Sequence, residues 1–433
     1  MKTYSETITY LYAQLPMFSR EGQSAFKKDL DRTLALCEAL GNPQNKLKTI
    51  HVAGTNGKGS SSHMLAALLA ENGYKTGLYT SPHLLDFRER IRVNGEMASE
   101  EYVVSFVAKH KALIEKIHPS FFEVTVAMAF DYFAQQSVDI AIIETGLGGR
   151  LDSTNIIRPL VSLITNISFD HSDILGGTLP LIAREKAGII KENTPVVISE
   201  RNPETDAVFE EIASNEKAPL TFAQDIFEVL LWKQEANYLH LQMKDKAKNI
   251  ETVVNLDLRG LYQKENIKGV LAVVEVLKRL GFKLEEEKNR FALQHVGLLT
   301  GMQGRWQTLS MNPLIVADAG HNVHGVAYLE DNLRQFQTKE LHIVWGMMKD
   351  KDISSILELL PKEAKYYFCE VDLPRALSSE ELRLKAKEYD LEGASFGSVE
   401  SALRAAIEEY TEGDLIFVGG STFVVADSLA VKI

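Results

Sequence analysis

The sequence predicts an α/β protein of two domains, the first built on a mostly parallel sheet with a small antiparallel sheet beside it. Three observations carry that prediction. Short apolar runs alternate with helical patterns through most of the 433 residues, the rhythm that strand–helix crossovers impose on a parallel sheet. Residues 226–258 break the rhythm with alternating pieces such as Tyr238-Leu239-His240-Leu241, the period-two pattern of antiparallel hairpins. A new alternation begins near Gly301, giving domains of residues 1–297 and 298–433.

The first strand is expected over 48–53, followed by a tight turn. Met64, Leu65, Leu68 and Leu69 then repeat at helical spacing, and Gly73 supplies a stop. Further strands are expected at 76–80, 139–143, 160–165 and 195–199. Val103, Phe106, Val107, Ile114 and Ile117 mark one intervening helix; Val126, Phe130 and Phe133 mark another. In the second domain, strands are expected at 314–317, 341–344, 366–371 and 414–418, with helices around 323–336, 352–360, 379–389 and 398–410. That domain is Rossmann-like in its rhythm but has no GxGxxG, so no dinucleotide site is expected there.

Composition narrows the classes. Hydrophobic residues at 45% and charged residues at 24% are ordinary for a globular chain able to bury a large core. The net charge of −12 argues against a general nucleic-acid binder. Cys37 and Cys369 lie in no CxxC or Cys/His cluster and read as reduced thiols of a cytoplasmic protein. The start shows no basic flank before an apolar run, so no signal peptide is expected. No stretch of 18 apolar residues is present, so no membrane partner is expected either.

The turn after the first strand carries the strongest chemistry: Gly54-Thr55-Asn56-Gly57-Lys58-Gly59-Ser60. Glycines let backbone N–H groups converge on phosphate oxygens, and the following helix N-terminus adds partial positive charge. Lys58 can reach terminal phosphates, and the Ser60 hydroxyl can serve phosphate or Mg²⁺. The fit to GxxxxGK[ST] is imperfect. Val52 stands at the first glycine position, and Gly59 separates Lys58 from Ser60.

Ligands of open parallel sheets sit outside the carboxyl ends of strands. Ser81, Glu144, Asn166 and His171 follow such ends, and Lys186 lies 15 residues beyond His171. Ser81, Glu144 and phosphate oxygens form an oxygen-rich set suited to Mg²⁺. Taken alone, His171 reads more readily as a structural histidine and Lys186 as a solvated helix lysine than as ligands. The glycine-rich loop 146–155 reads as a site or as a connector. Arg88 and Arg90 read as a carboxylate clamp or as surface. In the second domain, Asp318-Ala319-Gly320-His321-Asn322 and Gly419-Gly420-Ser421-Thr422 both follow strands, and two such clusters on one face favour a ligand.

Taken together, HVAGTNGKGSSS, YTSPHL, FRERI, ETGLGGRLDSTN, FDH, EKAGIIK, DAGHN and VGGS resemble, in identity and order, the folylpolyglutamate synthases and dihydrofolate synthases. The wider superfamily is the Mur ligases, and the resemblance runs from about Tyr10 to the C-terminus. It implies a P-loop first domain and an ATP-dependent ligase that joins L-glutamate to a folate or dihydropteroate through an acyl phosphate. The phosphate loop, from Gly54 to Ser60, would hold the triphosphate. Ser60, Ser81 and Glu144 would serve one Mg²⁺, and Glu144, His171 and a carbamylated Lys186 a second. Gln263, Asn266, Arg305 and Asp318 resemble nucleotide contacts. Arg90, Gly149, Asp152, His321 and Ser421 resemble contacts to the pterin or glutamate substrates. Hinge motion near 295–303 is implied. Two motifs depart from the family pattern: Asp318-Ala319-Gly320-His321-Asn322-Val323 replaces D-G-A-H-N-P, and Arg305-Trp306-Gln307 replaces R-[LF]-E.

Two rivals remain. A Mur-type cell-wall ligase performs the same chemistry but usually carries a whole domain ahead of the loop, whereas 53 residues precede Gly54. A non-catalytic P-loop switch protein explains the loop and Glu144 but not His171, Lys186 or DAGHN. A monomer is expected, and a bifunctional enzyme.

Overall fold

In the computed structural model, residues 2–17, 29–235 and 237–432 are described. They form two compact units: Met1–Lys233 with His240–Asp257 and Gln263–Met302, and Gln303–Ile433 with Gln234–Leu239 and Leu258–Tyr262.

The first unit is built on β1 (Thr49–Ala53), β2 (Thr76–Tyr79), β3 (Ile91–Val93), β4 (Glu96–Met97), β5 (Ile140–Glu144), β6 (Val161–Ile164), β7 (Val196–Ile198) and β8 (Leu220–Phe222). They make one eight-stranded sheet in the order β4-β3-β2-β5-β1-β6-β7-β8. β2, β5, β1, β6, β7 and β8 run parallel, while β3 and β4 add an antiparallel edge. The parallel strands are buried on both faces, which explains their unbroken apolar runs. On one face Tyr79, Ala141 and Ile143 pack with Val103, Phe106, Val107 and Phe130 of the helices Glu100–Ile117 and Phe121–Gln135. Ala53, Ile164, Val196 and Ile198 pack instead with Ala183 and Ala187 of Leu179–Ala187 and Phe209 of Asp206–Asn215. β9 (Phe227–Gln234), β10 (Leu239–Asp245) and β11 (Ile250–Leu256) form a separate antiparallel sheet in the order β11-β10-β9.

The second unit has a six-stranded sheet of β12 (Gln307–Met311), β13 (Leu314–Ala317), β14 (Leu341–Trp345), β15 (Lys365–Cys369), β16 (Gly393–Phe396) and β17 (Leu415–Gly419). Its order is β12-β13-β17-β14-β15-β16, parallel except at β12. Strand alternation sorts the core into two layers. Val316, Ile343, Trp345, Phe368 and Phe417 face one way; Ile315, Ala317, Val344, Cys369, Ile416 and Val418 face the other.

The expected strand positions agree with these elements to within a few residues. The structure adds β3, β4, β8, β12 and β16, which are short or lie at sheet edges, and the helices Tyr4–Gln14, Asp31–Ala39 and Gln263–Arg279. The pattern expected as one helix over 323–336 is split into Val323–Val326 and Leu329–Leu333.

Helix Gln263–Arg279 reaches the sheet through a glycine. A Cβ at Gly269 would lie 1.9 Å from Ser199 Oγ, 2.9 Å from Ser199 Cβ and 3.1 Å from Leu163 Cδ1. Gly269→Ala should therefore destabilise the protein by about 1–3 kcal/mol through overpacking, read as a lowered urea midpoint at unchanged slope.

Candidate active site

The strand–turn–helix at the centre of the first sheet gives the site its frame. β1 lies between β5 and β6, so the turn after it opens where crossovers leave in opposite directions. Gly54 has φ +151° and Gly57 φ +82°, the second in the left-handed region that favours glycine. Neighbours enforce both: a Cβ at Gly54 would lie 1.8 Å from Thr165 Oγ1, and one at Gly57 would lie 2.1 Å from Asn266 Oδ1. Gly57 caps the helix Lys58–Glu71, whose first turn contains Gly59 and the buried Ser60.

Hydrogen bonds from the β6 end hold the loop open. Thr165 Oγ1 donates to the Asn56 carbonyl at 2.6 Å, and the Thr55 amide donates to the Asn166 carbonyl at 2.8 Å. Thr55 Oγ1 donates to the Ser168 carbonyl at 3.1 Å. From the helix side, Gln263 Nε2 donates to Ser60 Oγ at 3.0 Å, and Asn266 Nδ2 donates to Gln263 Oε1 at 2.7 Å. Gln263 and Asn266 thus set the orientation of the hydroxyl at the start of the helix.

The two lysines converge. Lys58 Nζ donates to the Gly54 carbonyl at 3.0 Å and the Thr55 carbonyl at 3.1 Å. Lys186 Nζ donates to the same Gly54 carbonyl at 2.9 Å. Lys186 is no solvated helix residue: it is 3% exposed. Burial, with the charge of Lys58, pushes its ammonium down to about 7. Gly149 permits that depth, because a Cβ there would lie 3.0 Å from Lys186 Cα and 2.7 Å from its carbonyl oxygen.

Glu144 ends β5 and is buried, and its Oε2 accepts from the Ser81 amide at 3.4 Å. The same oxygen would lie 3.8 Å from a Cβ at Gly59. Ser81, Glu144 and the helix start therefore share one end of the sheet. His171 adopts a left-handed conformation with φ +51°, and its Nε2 lies 3.8 Å from Asp170 Oδ1. Asp170, the carboxylate of the FDH motif, contributes a negative charge felt at Lys186.

The loop 146–155 is braced by one carboxylate. Asp152 Oδ2 accepts from the Gly146 and Leu147 amides at 2.8 Å each, and its Oδ1 accepts from Thr154 N at 3.0 Å and Thr154 Oγ1 at 2.5 Å. Its side chain acts on the loop's shape. Arg88 and Arg90 part company. Arg88 pairs with Asp86 and Glu100. Arg90 is buried, donates to His83 Nδ1 at 2.7 Å, and lies over the Phe121 ring at 5.3 Å. Burial and that guanidinium hold the His83 imidazole down at about 3, so it is neutral. Tyr12 Oη, 3.1 Å from His83 Nε2, extends this chain. Nothing in the spacing of FRERI distinguished the inward arginine from the outward one.

In the second unit, Asp318 follows β13. Its Oδ2 accepts from Tyr262 Oη at 2.6 Å and Trp306 N at 2.8 Å, and its Oδ1 from Gly320 N at 2.8 Å. The Tyr262 phenol, raised by burial and then by Asp318, stays protonated as the donor. These residues line a narrow pocket with Gly325, Asn332, Trp345 and Phe417. Arg305 Nη1 donates to the Gly304 carbonyl at 3.1 Å, and Gln307 Oε1 accepts from the Gly304 amide at 2.7 Å. His321 Nδ1 donates to the Ala319 carbonyl at 2.9 Å, leaving Nε2 as the acceptor when neutral. Ser421 is buried and caps Thr422–Ala430, accepting from Val424 N at 3.1 Å.

The chain is similar to known proteins over nearly its whole length. Residues 52–274 match the Mur ligase middle domain, and residues 304–422 the Mur ligase glutamate ligase domain. The chain is 33% identical over 417 residues to the dihydrofolate synthase/folylpolyglutamate synthase of Bacillus subtilis (strain 168), covering 93% of this chain and 94% of that one. It resembles the structure of E. coli FolC in complex with DHPP and ADP, with a TM-score of 0.84, 28% identity, and coverage of 99% and 97%. It also resembles the bifunctional folylpolyglutamate synthase/dihydrofolate synthase of Yersinia pestis complexed with AMPPNP and Mn ion, with a TM-score of 0.83, 31% identity, and coverage of 99% and 98%.

The depth of Lys186 has a thermodynamic consequence. Below about pH 7 its amine is charged in both folded and unfolded chains, and the burial penalty is present in full. Between about 7 and the ordinary 10.5, the unfolded chain binds the extra proton, so stability rises with pH. In carbon-dioxide-free buffer, the urea midpoint of the native protein should climb across that window relative to Lys186→Met.

Proposed function

Because the chain belongs to the dihydrofolate synthase/folylpolyglutamate synthase family, we propose that this ligase joins L-glutamate to the carboxylate of dihydropteroate, a folate, or both, with cleavage of ATP. The observation that carries the reading is the glycine-rich turn between β1 and the helix Lys58–Glu71, on whose Gly54 carbonyl Lys58 and Lys186 converge. A polyphosphate is the ligand that a glycine-rich turn opening a helix N-terminus fits, with Lys58 supplying positive charge.

A free carboxylate is a poor acyl donor because its leaving group would be an oxide. One of its oxygens attacks the γ-phosphorus, ADP departs, and the acyl phosphate that remains has phosphate as leaving group. The glutamate α-amine then attacks the acyl carbonyl, loses its proton, and expels phosphate. Phosphoryl transfer is mainly positioning and charge neutralisation. Gly54, Thr55, Asn56, Gly57 and Gly59 form the cradle, Lys58 supplies charge, and Ser60 is oriented by Gln263 and Asn266. Arg305 and Asp318 are assigned to the nucleotide, and His321 and Ser421 to glutamate. Arg90 is assigned to the substrate carboxylate, with Gly149 and Asp152 shaping the loop beside it.

Mg²⁺ would be held by Ser60, Ser81 and Glu144 in one site, and by Glu144, His171 and Lys186 in another. Bound metal neutralises charge on the transferring phosphoryl group. A charged Lys186 does not fit a cation. A neutral amine is nucleophilic toward CO₂, and the carbamate it forms is an oxygen ligand; the depressed ammonium makes that amine available near neutral pH. A cytoplasmic monomer completes the reading, and the buried thiols of Cys37 and Cys369 are in keeping with a reducing compartment.

With ATP, Mg²⁺ and glutamate, the purified chain should release phosphate on addition of dihydropteroate, tetrahydrofolate or each in turn; silence with both acceptors ends the reading, and the pattern between them assigns the acceptor. Lys186→Ala should lower kcat on the order of 10²–10³-fold, the range for losing a charge-stabilising group. Isotopically labelled bicarbonate should give a carbamate carbonyl signal in the native protein and none in that variant.

A further inference from the structure

A second cluster of ligating groups lies at the opposite end of the second unit's sheet. Glu340 immediately precedes β14, His342 is its second residue, and Asp414 immediately precedes β17, the strand paired in parallel with β14. Asp318 and Ser421 follow the carboxyl ends of β13 and β17, a strand length away, roughly 15 Å at about 3.3 Å per residue.

The tautomer of His342 follows from its partners. Tyr367 Oη donates to Glu409 Oε2 at 2.9 Å, and Glu409 also pairs with Lys365. Tyr367 Oη lies 3.0 Å from His342 Nδ1. Having spent its proton on Glu409, the phenol accepts there, so Nδ1 carries the imidazole hydrogen. Nε2 is then the ring nitrogen turned toward the remaining carboxylates. That atom is buried and has no hydrogen-bond partner. It faces Asp414 Oδ2 at 3.5 Å and Glu340 Oε2 at 3.8 Å. A ring nitrogen aimed at two carboxylates calls for a cation between them, either a proton on the ring or a metal ion.

A proton and a divalent metal would leave different distances. A charge-assisted hydrogen bond draws nitrogen and oxygen to about 2.7–2.9 Å. Ligands about 2.0–2.2 Å from a tetrahedral metal stand roughly 3.3–3.6 Å apart. The observed 3.5 Å falls within the second range and 3.8 Å just beyond it, and both are well outside the first. The supporting shell is also built. Asp414 Oδ2 is fixed by Thr411 N at 2.7 Å and Thr411 Oγ1 at 2.8 Å, and the Glu409–Tyr367–His342 chain orients the ring as carboxylate-backed histidines do at metal sites. Two carboxylates beside an imidazole nitrogen make a ligand set that suits a divalent ion. Glu340 is half exposed, leaving a side open to water as fourth ligand.

We propose that Glu340, His342 and Asp414 bind a divalent cation of the Zn²⁺ or Co²⁺ type, clipping β14 to β17 at the end of the sheet away from the candidate active site. The probe is Co²⁺, whose visible bands report tetrahedral coordination, added to the full chain in excess Mg²⁺. The native protein should show those bands. Glu340→Gln, a change at an exposed side chain, should weaken Co²⁺ binding about tenfold or more while leaving Mg²⁺-dependent ligase activity unchanged. His342→Gln should abolish the bands, and Tyr367→Phe should weaken binding about 10–100-fold through loss of the supporting hydrogen bond. Circular dichroism confirms that each variant is folded. Absence of tetrahedral bands in the native protein, or the same affinity in folded Glu340→Gln and His342→Gln, overturns the proposal.

Discussion

Two ammonium groups meet at one carbonyl oxygen, and the first unit's chemistry depends on that encounter. Lys58 arrives from the helix that follows β1, and Lys186 from a helix far along the chain. Like charges so close, one of them fully buried, are tolerable only if one loses its proton or anions gather between them. The cradle supplies both outcomes. Its amides and helix start invite a polyphosphate, and the environment of Lys186 favours the neutral amine. Neutralisation and nucleophilicity come from the same burial. The lysine that would repel a metal is also the one whose amine can be converted into a metal ligand.

That geometry requires close approaches that only small residues allow. Gly54 meets Thr165, Gly57 meets Asn266, and Gly149 meets the backbone at Lys186. Gly54 and Gly57 join the end of β6 and the helix Gln263–Arg279 to the phosphate loop, while Gly149 lets the loop 146–155 pack on the helix Leu179–Ala187. Asp152 works in the same way on the neighbouring loop, using its carboxylate oxygens on backbone and threonine donors. Positioning of this kind is what an acyl-phosphate mechanism needs, since the reaction relies on alignment and charge more than on covalent help from the protein.

The second unit shows how one sheet can be specialised at both ends. The carboxyl ends of its strands carry Asp318, His321 and Ser421, with Asp318 tying Tyr262, Trp306 and Gly320 into one network. The amino ends of β14 and β17 carry Glu340, His342 and Asp414. Both groups exploit the same fact: parallel strands bring residues distant in sequence into register at a common edge.

The sequence by itself determined the α/β class, the central strands of both sheets, and the phosphate loop with its glycines, lysine and serine. Buried parallel strands must be apolar on both faces, and a loop that points amides inward must be rich in glycine; both demands are local and therefore legible. It also brought Ser81, Glu144, His171 and Lys186 into view through motifs and strand ends. What only tertiary structure decided was which polar side chains are turned inward. Arg90 and Arg88 stand two residues apart with opposite fates, because burial depends on Phe121 and His83, which sequence spacing does not reveal. Lys186 reads as a solvated helix residue until Gly149 and Gly54 enclose it. Edge strands such as β12 and β16, and the return of Leu258–Tyr262 to the second unit, likewise rest on long-range pairing and packing. His342 reads as one histidine in an apolar strand; its bare Nε2 follows only from a phenol and three carboxylates gathered from four separate segments of the chain.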